Sequence, residues 1–153
     1  SLYPSILHGI AADIERRGGA DKIVIANYPS DRSIEGKNLA EIAKKHGISP
    51  SEVAVNIYLE SETSVNLHSM EEPDVEVIAE GKWVSVASDG SSIKTSGALS
   101  SGKPHPRSYG TFPRFLGRDV REKSVVSLEE GIRKMTSLPE HTEAHPEHTD
   151  ALP

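Results

Sequence analysis

The run Trp83-Val84-Ser85-Val86-Ala87 has the length of a strand and leads directly into Ser88-Asp89-Gly90, a junction that limits the folds open to this chain. An apolar run bounded by turn residues reads as a strand. Upstream, Val65-Asn66-Leu67 is a second candidate strand. Between the two, Ser69 and Glu72 are spaced as a capping box for a short helix through Ile78, which Gly81 ends. Strand, helix and strand in this order make a βαβ unit, whose parallel strands expose their carboxyl ends on one face. Ligands bind at that face in barrels and in open α/β sheets alike. Asp89 is therefore expected where chemistry is done.

The same reading extends towards the amino terminus. Leu7, Ile10, Ala11 and Ile14 recur at helical spacing until Gly18-Gly19 stops the helix. Ile23-Val24-Ile25-Ala26 is a continuous apolar run before Asn27-Tyr28-Pro29, the pattern of a buried strand followed by a turn. Two helices come next. Leu39, Ile42 and Ala43 line the first, which ends at Gly47; Ser49-Pro50-Ser51-Glu52 then supplies an N-cap, a first-turn proline and a capping-box glutamate for Val53 to Leu59. The predicted fold class is α/β.

Beyond Asp89, Gly90 to Gly110 hold four Gly, six Ser and two Pro, a composition that makes a long irregular loop. Loops of that length inside compact domains are commonly functional or mobile. Arg107 in this loop offers a planar guanidinium fork that matches a carboxylate in two hydrogen bonds. Arg114 has the same fork; for both arginines, pairing with the many acidic residues or bracing the loop is the competing role. His105, between Pro104 and Pro106, is either a substrate-contacting group or an exposed loop residue. Phe112 to Arg121 can form a short helix with Phe115 and Leu116 inward, and Ser127-Leu128-Glu129-Glu130 is a third capping box, opening a helix through Met135 or Thr136.

Three segments in succession carry a family resemblance: Ser88-Asp89-Gly90, then His105-Pro106-Arg107 with Gly110-Thr111-Phe112-Pro113-Arg114, then Leu128-Glu129-Glu130 with Arg133-Lys134-Met135-Thr136. In this order they resemble the carboxy-terminal part of the barrel in the N-acyl-D-amino-acid deacylase (D-aminoacylase) family, a branch of the metal-dependent amidohydrolases. The resemblance runs from about Arg16 to Pro139 and is most specific from Trp83 onwards. It implies a partial (β/α) barrel over residues 1–139, with a helical insertion at about 30–62 and a substrate loop at about 90–111. It also implies a zinc-dependent parent enzyme that cleaves an N-acyl amide to a free amino acid and a carboxylate. Asp89 would be the metal ligand and proton shuttle, with Arg107, Tyr109 and His105 as substrate contacts. The family's metal-binding His-x-His does not occur in these 153 residues, and there is no cysteine. The chain alone is accordingly expected to hold no zinc tightly and to be inactive. On its own, Ser-Asp-Gly would read as a strand-end turn; the two segments that follow it in register favour the site.

A length of 153 residues suits one domain, while 35% hydrophobic and 5% aromatic residues are few for a compact globule, as in a piece separated from surface it packed against. A net charge of −6 argues against general nucleic-acid or anionic-membrane binding, which depends on clustered Lys and Arg. The lack of cysteine excludes disulfides and thiolate metal sites and fits a reducing compartment; with no charged-then-apolar leader opening the chain, a cytoplasmic or already trimmed protein is expected. Residues 140–153, with a duplicated Glu-His-Thr and no apolar periodicity, are predicted to be a disordered tail. Pro146 argues against a helical metal site from His141, His145 and His148.

Two other functions fit parts of the sequence. A degenerate barrel piece could be an interaction module that covers its exposed edges by homo-oligomerisation or by pairing with the missing barrel portion. The segment from Leu39 to Leu59 has the outline of a helix-turn-helix, but its second helix opens on Pro50-Ser51-Glu52, an acidic start poorly suited to DNA.

Overall fold

The computed structural model describes residues 2–100 and 102–143. Helix α1, Tyr3–Arg16, has Pro4 in its first turn, where a missing N–H breaks no intrahelical bond, and it stops as the sequence predicts at Gly18 and Gly19. Both glycines have positive φ, 92° and 108°. Their amides return to the last turn, Gly19 N–H to the Ile14 carbonyl and Gly18 N–H to the Glu15 carbonyl, each at 2.9 Å. This is a Schellman ending, available because glycine carries no Cβ.

Strand β1, Ile23–Asn27, follows, with Ile25 and Ala26 buried. Helices α2, Leu39–His46, and α3, Pro50–Glu60, each open on a reciprocal capping box, Asn38 with Glu41 and Ser49 with Glu52. Ile14, Ile25, Leu39, Ile42, Val53 and Ile57 bring these elements together in one core. Strand β2, Ser64–Leu67, pairs antiparallel with β1, placing Ile23 opposite Leu67 and Ile25 opposite Val65; the register then shifts before Asn27 meets Ser64. The Ala26 carbonyl, at that shift, accepts from the Lys103 N–H. The Lys103 carbonyl in turn accepts from Asn66 Nδ2 at 3.0 Å, which fastens the end of the long loop to this sheet.

The chain divides into two compact units, one made of the residues up to Ser69 with Ser92–His105, the other of Met70–Ser91 with the residues from Pro106 on. The second unit contains α4, Glu72–Glu80, α5, Arg107–Arg114, a π-helical stretch, Phe115–Glu122, and helices α6, Leu128–Met135, and α7, Ser137–Glu143. Ala79, Phe115 and Val120 form a buried apolar cluster in it, with Val86, Val125 and Met135 packed on them. Gly131 lets α6 approach closely, since a Cβ there would lie 2.9 Å from the Val120 side chain. Among the described residues no helix is long and apolar enough to cross a membrane.

Several expectations need correction. The segment Trp83–Ala87 is irregular and joins no ladder, and Trp83 is 89% exposed. Among the described residues the sheet has two strands, antiparallel, so the expected parallel βαβ unit is not formed. A strand exists only if a neighbour satisfies its backbone, and here α6 does so instead. Lys134 Nζ donates to the Gly81 carbonyl and, at 3.1 Å, to that of Val84; Arg133 donates to the Lys82 carbonyl at 2.7 Å, and the Val86 N–H donates to the Lys134 carbonyl at 3.0 Å.

The predicted Ser69–Glu72 box is also absent. Glu71 occupies the cap position without a side-chain bond, and Pro73 sets the first turn. At the third box Ser127 does cap the Glu130 N–H, but the Glu130 carboxylate turns to Arg133 at 2.7 Å, which lowers its pKa. The predicted loop of about 90–111 ends early, because Pro106 has helical dihedrals and its carbonyl accepts from the Gly110 N–H at 2.9 Å, starting α5 at Arg107. Residues 140–143 of the predicted disordered tail are helical in α7, anchored by the buried Leu138; residues 144–153, with His145 and His148, lie outside the described residues.

Two buried polar groups generate predictions. The Tyr28 phenol, 4% exposed, donates to Glu60 Oε2 at 2.6 Å. Burial, reinforced by the Glu60 carboxylate, pushes its pKa from 10 up to about 12. The folded protein then holds this proton more tightly than the unfolded chain, so the stabilisation is complete below pH 10 and is lost as pH rises through about 12. Thermal unfolding followed across that interval should show a loss of stability that Tyr28→Phe abolishes; equal loss in both proteins would contradict the assignment. For Lys134, whose side chain is fully buried, truncation takes a donor from the Gly81 and Val84 carbonyls and leaves a void. Lys134→Ala is expected to lower unfolding free energy by about 3 kcal/mol in a denaturant titration. Exposed Lys44→Ala should change it by less than about 0.5 kcal/mol.

Candidate functional site

Asp89 ends the irregular segment that α6 holds, and its backbone has φ 49°, a left-handed conformation that aspartate tolerates better than most residues. The next position has to be small. A Cβ on Gly90 would lie 3.1 Å from Ser108 Cα and 3.3 Å from Ser108 Cβ, in the first turn of α5. This close approach sets the Asp89 carboxylate against the same turn, where Arg107 Nη2 donates to Asp89 Oδ2. The side chains are 49% and 80% exposed for Arg107 and Asp89. Exposed pairs of this kind contribute at most about 1 kcal/mol, so a competing anion or cation can open this one.

Arg114, at the other end of α5, is committed to the protein. Its Nη1 donates to Asp119 Oδ2 at 3.1 Å and its Nη2 to Glu72 Oε2 at 2.6 Å, while Arg118 lies 3.2 Å from the same Glu72 oxygen. With both terminal nitrogens on protein carboxylates, Arg114 braces α5, the competing role anticipated for it.

The structure thus brings Asp89 and Arg107 together. Tyr109, 44% exposed, lies on α5 two residues after Arg107, a spacing that turns it to another side of the helix. His105 is partly buried and ends the first unit, whereas Asp89, Arg107 and Tyr109 belong to the second. Among the described residues no three His, Cys, Asp or Glu side chains come together to hold a metal ion. A cavity of about 440 Å³ in the first unit, walled by Ile10, Ile14, Ile23, Ile25 and Leu67, offers mainly apolar surface and little chemistry.

Sequence reasoning passed over Lys134 and Asp119. For Lys134 the available signal is its place in a buried stripe, three residues after Gly131 and four before Leu138. Asp119 carried no comparable mark, since its burial follows from the widened helix and not from a regular repeat.

No protein-family model matches the chain. It is 33% identical over 125 residues to an N-acyl-D-glutamate deacylase and 32% identical over 136 residues to a D-aminoacylase, both of Alcaligenes xylosoxydans xylosoxydans. These matches take in 82% and 89% of this chain but 24% and 26% of the relatives, so the chain spans about a quarter of their length. The solved N-acyl-D-glutamate deacylase from Bordetella bronchiseptica, complexed with zinc and a phosphonate mimic of the tetrahedral intermediate, aligns with a TM-score of 0.71 at 30% identity, over 87% of this chain and 26% of that one. A D-aminoacylase with a binuclear metal centre aligns with a TM-score of 0.66 at 30% identity, over 80% and 24%. A further D-aminoacylase structure, of a subset of amidohydrolases, aligns with a TM-score of 0.64. Sequence and structure agree that the chain is similar, over most of its length, to about a quarter of the N-acyl-D-amino-acid deacylases of the D-aminoacylase family.

Proposed function

We propose that this chain is the Asp89-bearing part of a zinc-dependent N-acyl-D-amino-acid deacylase, organised in the intact enzyme as part of a (β/α) barrel. The observation that carries the reading is the Asp89–Arg107 pair, held open to solvent in a segment that aligns with these enzymes over most of its length. Hydrolysis of an N-acyl amide needs a proton to leave the attacking water and another to reach the departing amine. A single carboxylate can perform both transfers, and Asp89 is the group of this chain suited to it. Arg107 holds that carboxylate in place, and its fork matches the carboxylate of an N-acyl amino acid once the pair opens. Tyr109 and His105 are proposed as further substrate contacts.

The residues present do not by themselves make a zinc site, since among the described residues no three His, Cys, Asp or Glu side chains come together. Zinc would require donors from elsewhere in the enzyme. Neither the interaction module nor the DNA-binding reading gains support from the relatives.

The chain by itself should show no hydrolysis of an N-acyl-D-amino acid above background. Exchanged for the matching quarter of the Alcaligenes D-aminoacylase, it should support hydrolysis, and Asp89→Ala in that chimera should lower kcat by about a hundred- to ten-thousand-fold. A folded, active chimera indifferent to Asp89→Ala would remove Asp89 from the mechanism.

A further inference from the structure

Asp119 lies on the π-helical stretch at 2% exposure, and of its two carboxylate oxygens one accepts from Arg114 while the other is buried without a protein donor. A carboxylate so placed is unfavourable compared with an apolar residue of similar size. The buried apolar cluster of this unit is formed by Ala79, Phe115 and Val120, and Asp119 is not a member of it. What Asp119 does hold is Arg114. The second arm of Arg114 goes to Glu72, which is 46% exposed and so holds it weakly. The buried arm to Asp119 is the one that can fix Arg114.

Arg114 and Arg107 are seven residues apart on α5, two turns along the same face. The last turn of this helix lacks one rung of its ladder, because Pro113 has no N–H to give, and the chain widens into π-helix directly after Arg114. We propose that Asp119 is a positioning residue: by holding Arg114 it sets the rotation and height of α5, and with them the point at which Arg107 meets Asp89. The inference rests on reading Asp89 and Arg107 as the site. It adds a carboxylate that touches neither substrate nor reacting atoms.

The test uses the whole chain with nitrogen-15-labelled arginine side chains and backbone amides, in Asp119→Asn. Loss of the charge should speed hydrogen exchange at the Arg107 guanidinium and the Gly110 amide by on the order of tenfold. Amides of α6, and of α2 and α3 in the first unit, should keep their rates, and Asp119→Glu should restore part of the protection at Arg107. Should Asp119→Asn not fold, the paired change Asp119→Leu with Arg114→Leu leaves no lone buried charge and carries the same expectation. A folded variant of either kind with Arg107 and Gly110 exchange unchanged, or with exchange raised equally in α6, overturns the proposal. No zinc or substrate enters this measurement, so a negative result leaves the deacylase reading in place. An Asp89 that proves dispensable for hydrolysis likewise leaves the Asp119 coupling to stand or fall on its own data.

Discussion

The buried ammonium of Lys134 is the interaction on which the second unit depends. The segment from Gly81 to Asp89 has the composition of a strand but no strand beside it, and a backbone in that condition must find other partners. Lys134 gives it two, at the Gly81 and Val84 carbonyls, and the adjoining Arg133 gives a third at Lys82. Burial depresses the Lys134 pKa, with Glu130 at 3.9 Å working in the opposite direction. The ammonium is tolerated because each donor that matters to the fold has an oxygen to meet. From this anchorage the chain runs on to Asp89, so the position of the candidate catalytic carboxylate is decided by α6 rather than by a sheet.

Two kinds of ion pair then divide the work along α5. The Arg107–Asp89 pair is open to water and weak, as suits the exchange of partners proposed for it. The Arg114–Asp119 contact is half sheltered, with one member almost wholly buried, as suits a brace. Burial, more than distance, separates the two pairs. Two forks that look alike in the sequence thus meet carboxylates of different kinds, an exposed one at Arg107 and a buried one at Arg114.

What could be read in advance was local. Gly18-Gly19, Gly47 and the Ser49–Glu52 box ended or opened helices where expected, because each acts within one turn and needs no distant partner. The Ser69–Glu72 box failed for an equally local reason, with Pro73 and Glu71 already occupying the helix start. Ser127 capped its helix while Glu130 deserted the box for Arg133, a competition between a backbone amide and a guanidinium that spacing cannot judge. Asp89, Gly90 and Arg107 were visible as residues, and the close approach of Ser108 to Gly90 accounts for the glycine. The partners of Arg114 were not visible, since Glu72 and Asp119 stand on either side of it at separations with no common period.

By itself the sequence determined where α1 and α2 end and where α3 and α6 begin, which residue types stand ready for chemistry, and to which enzymes the chain is similar. These properties rest on caps, glycine conformations and short motifs, all set by neighbouring residues. Only the tertiary structure decided that Trp83–Ala87 is held by a lysine in place of a ladder, that β1 and β2 run antiparallel, and that Asp89 pairs with Arg107 while Arg114 is locked to Asp119. Each of those outcomes depends on which distant group reaches a backbone oxygen or a carboxylate first, and on whether water is excluded there, which no stretch of sequence specifies alone.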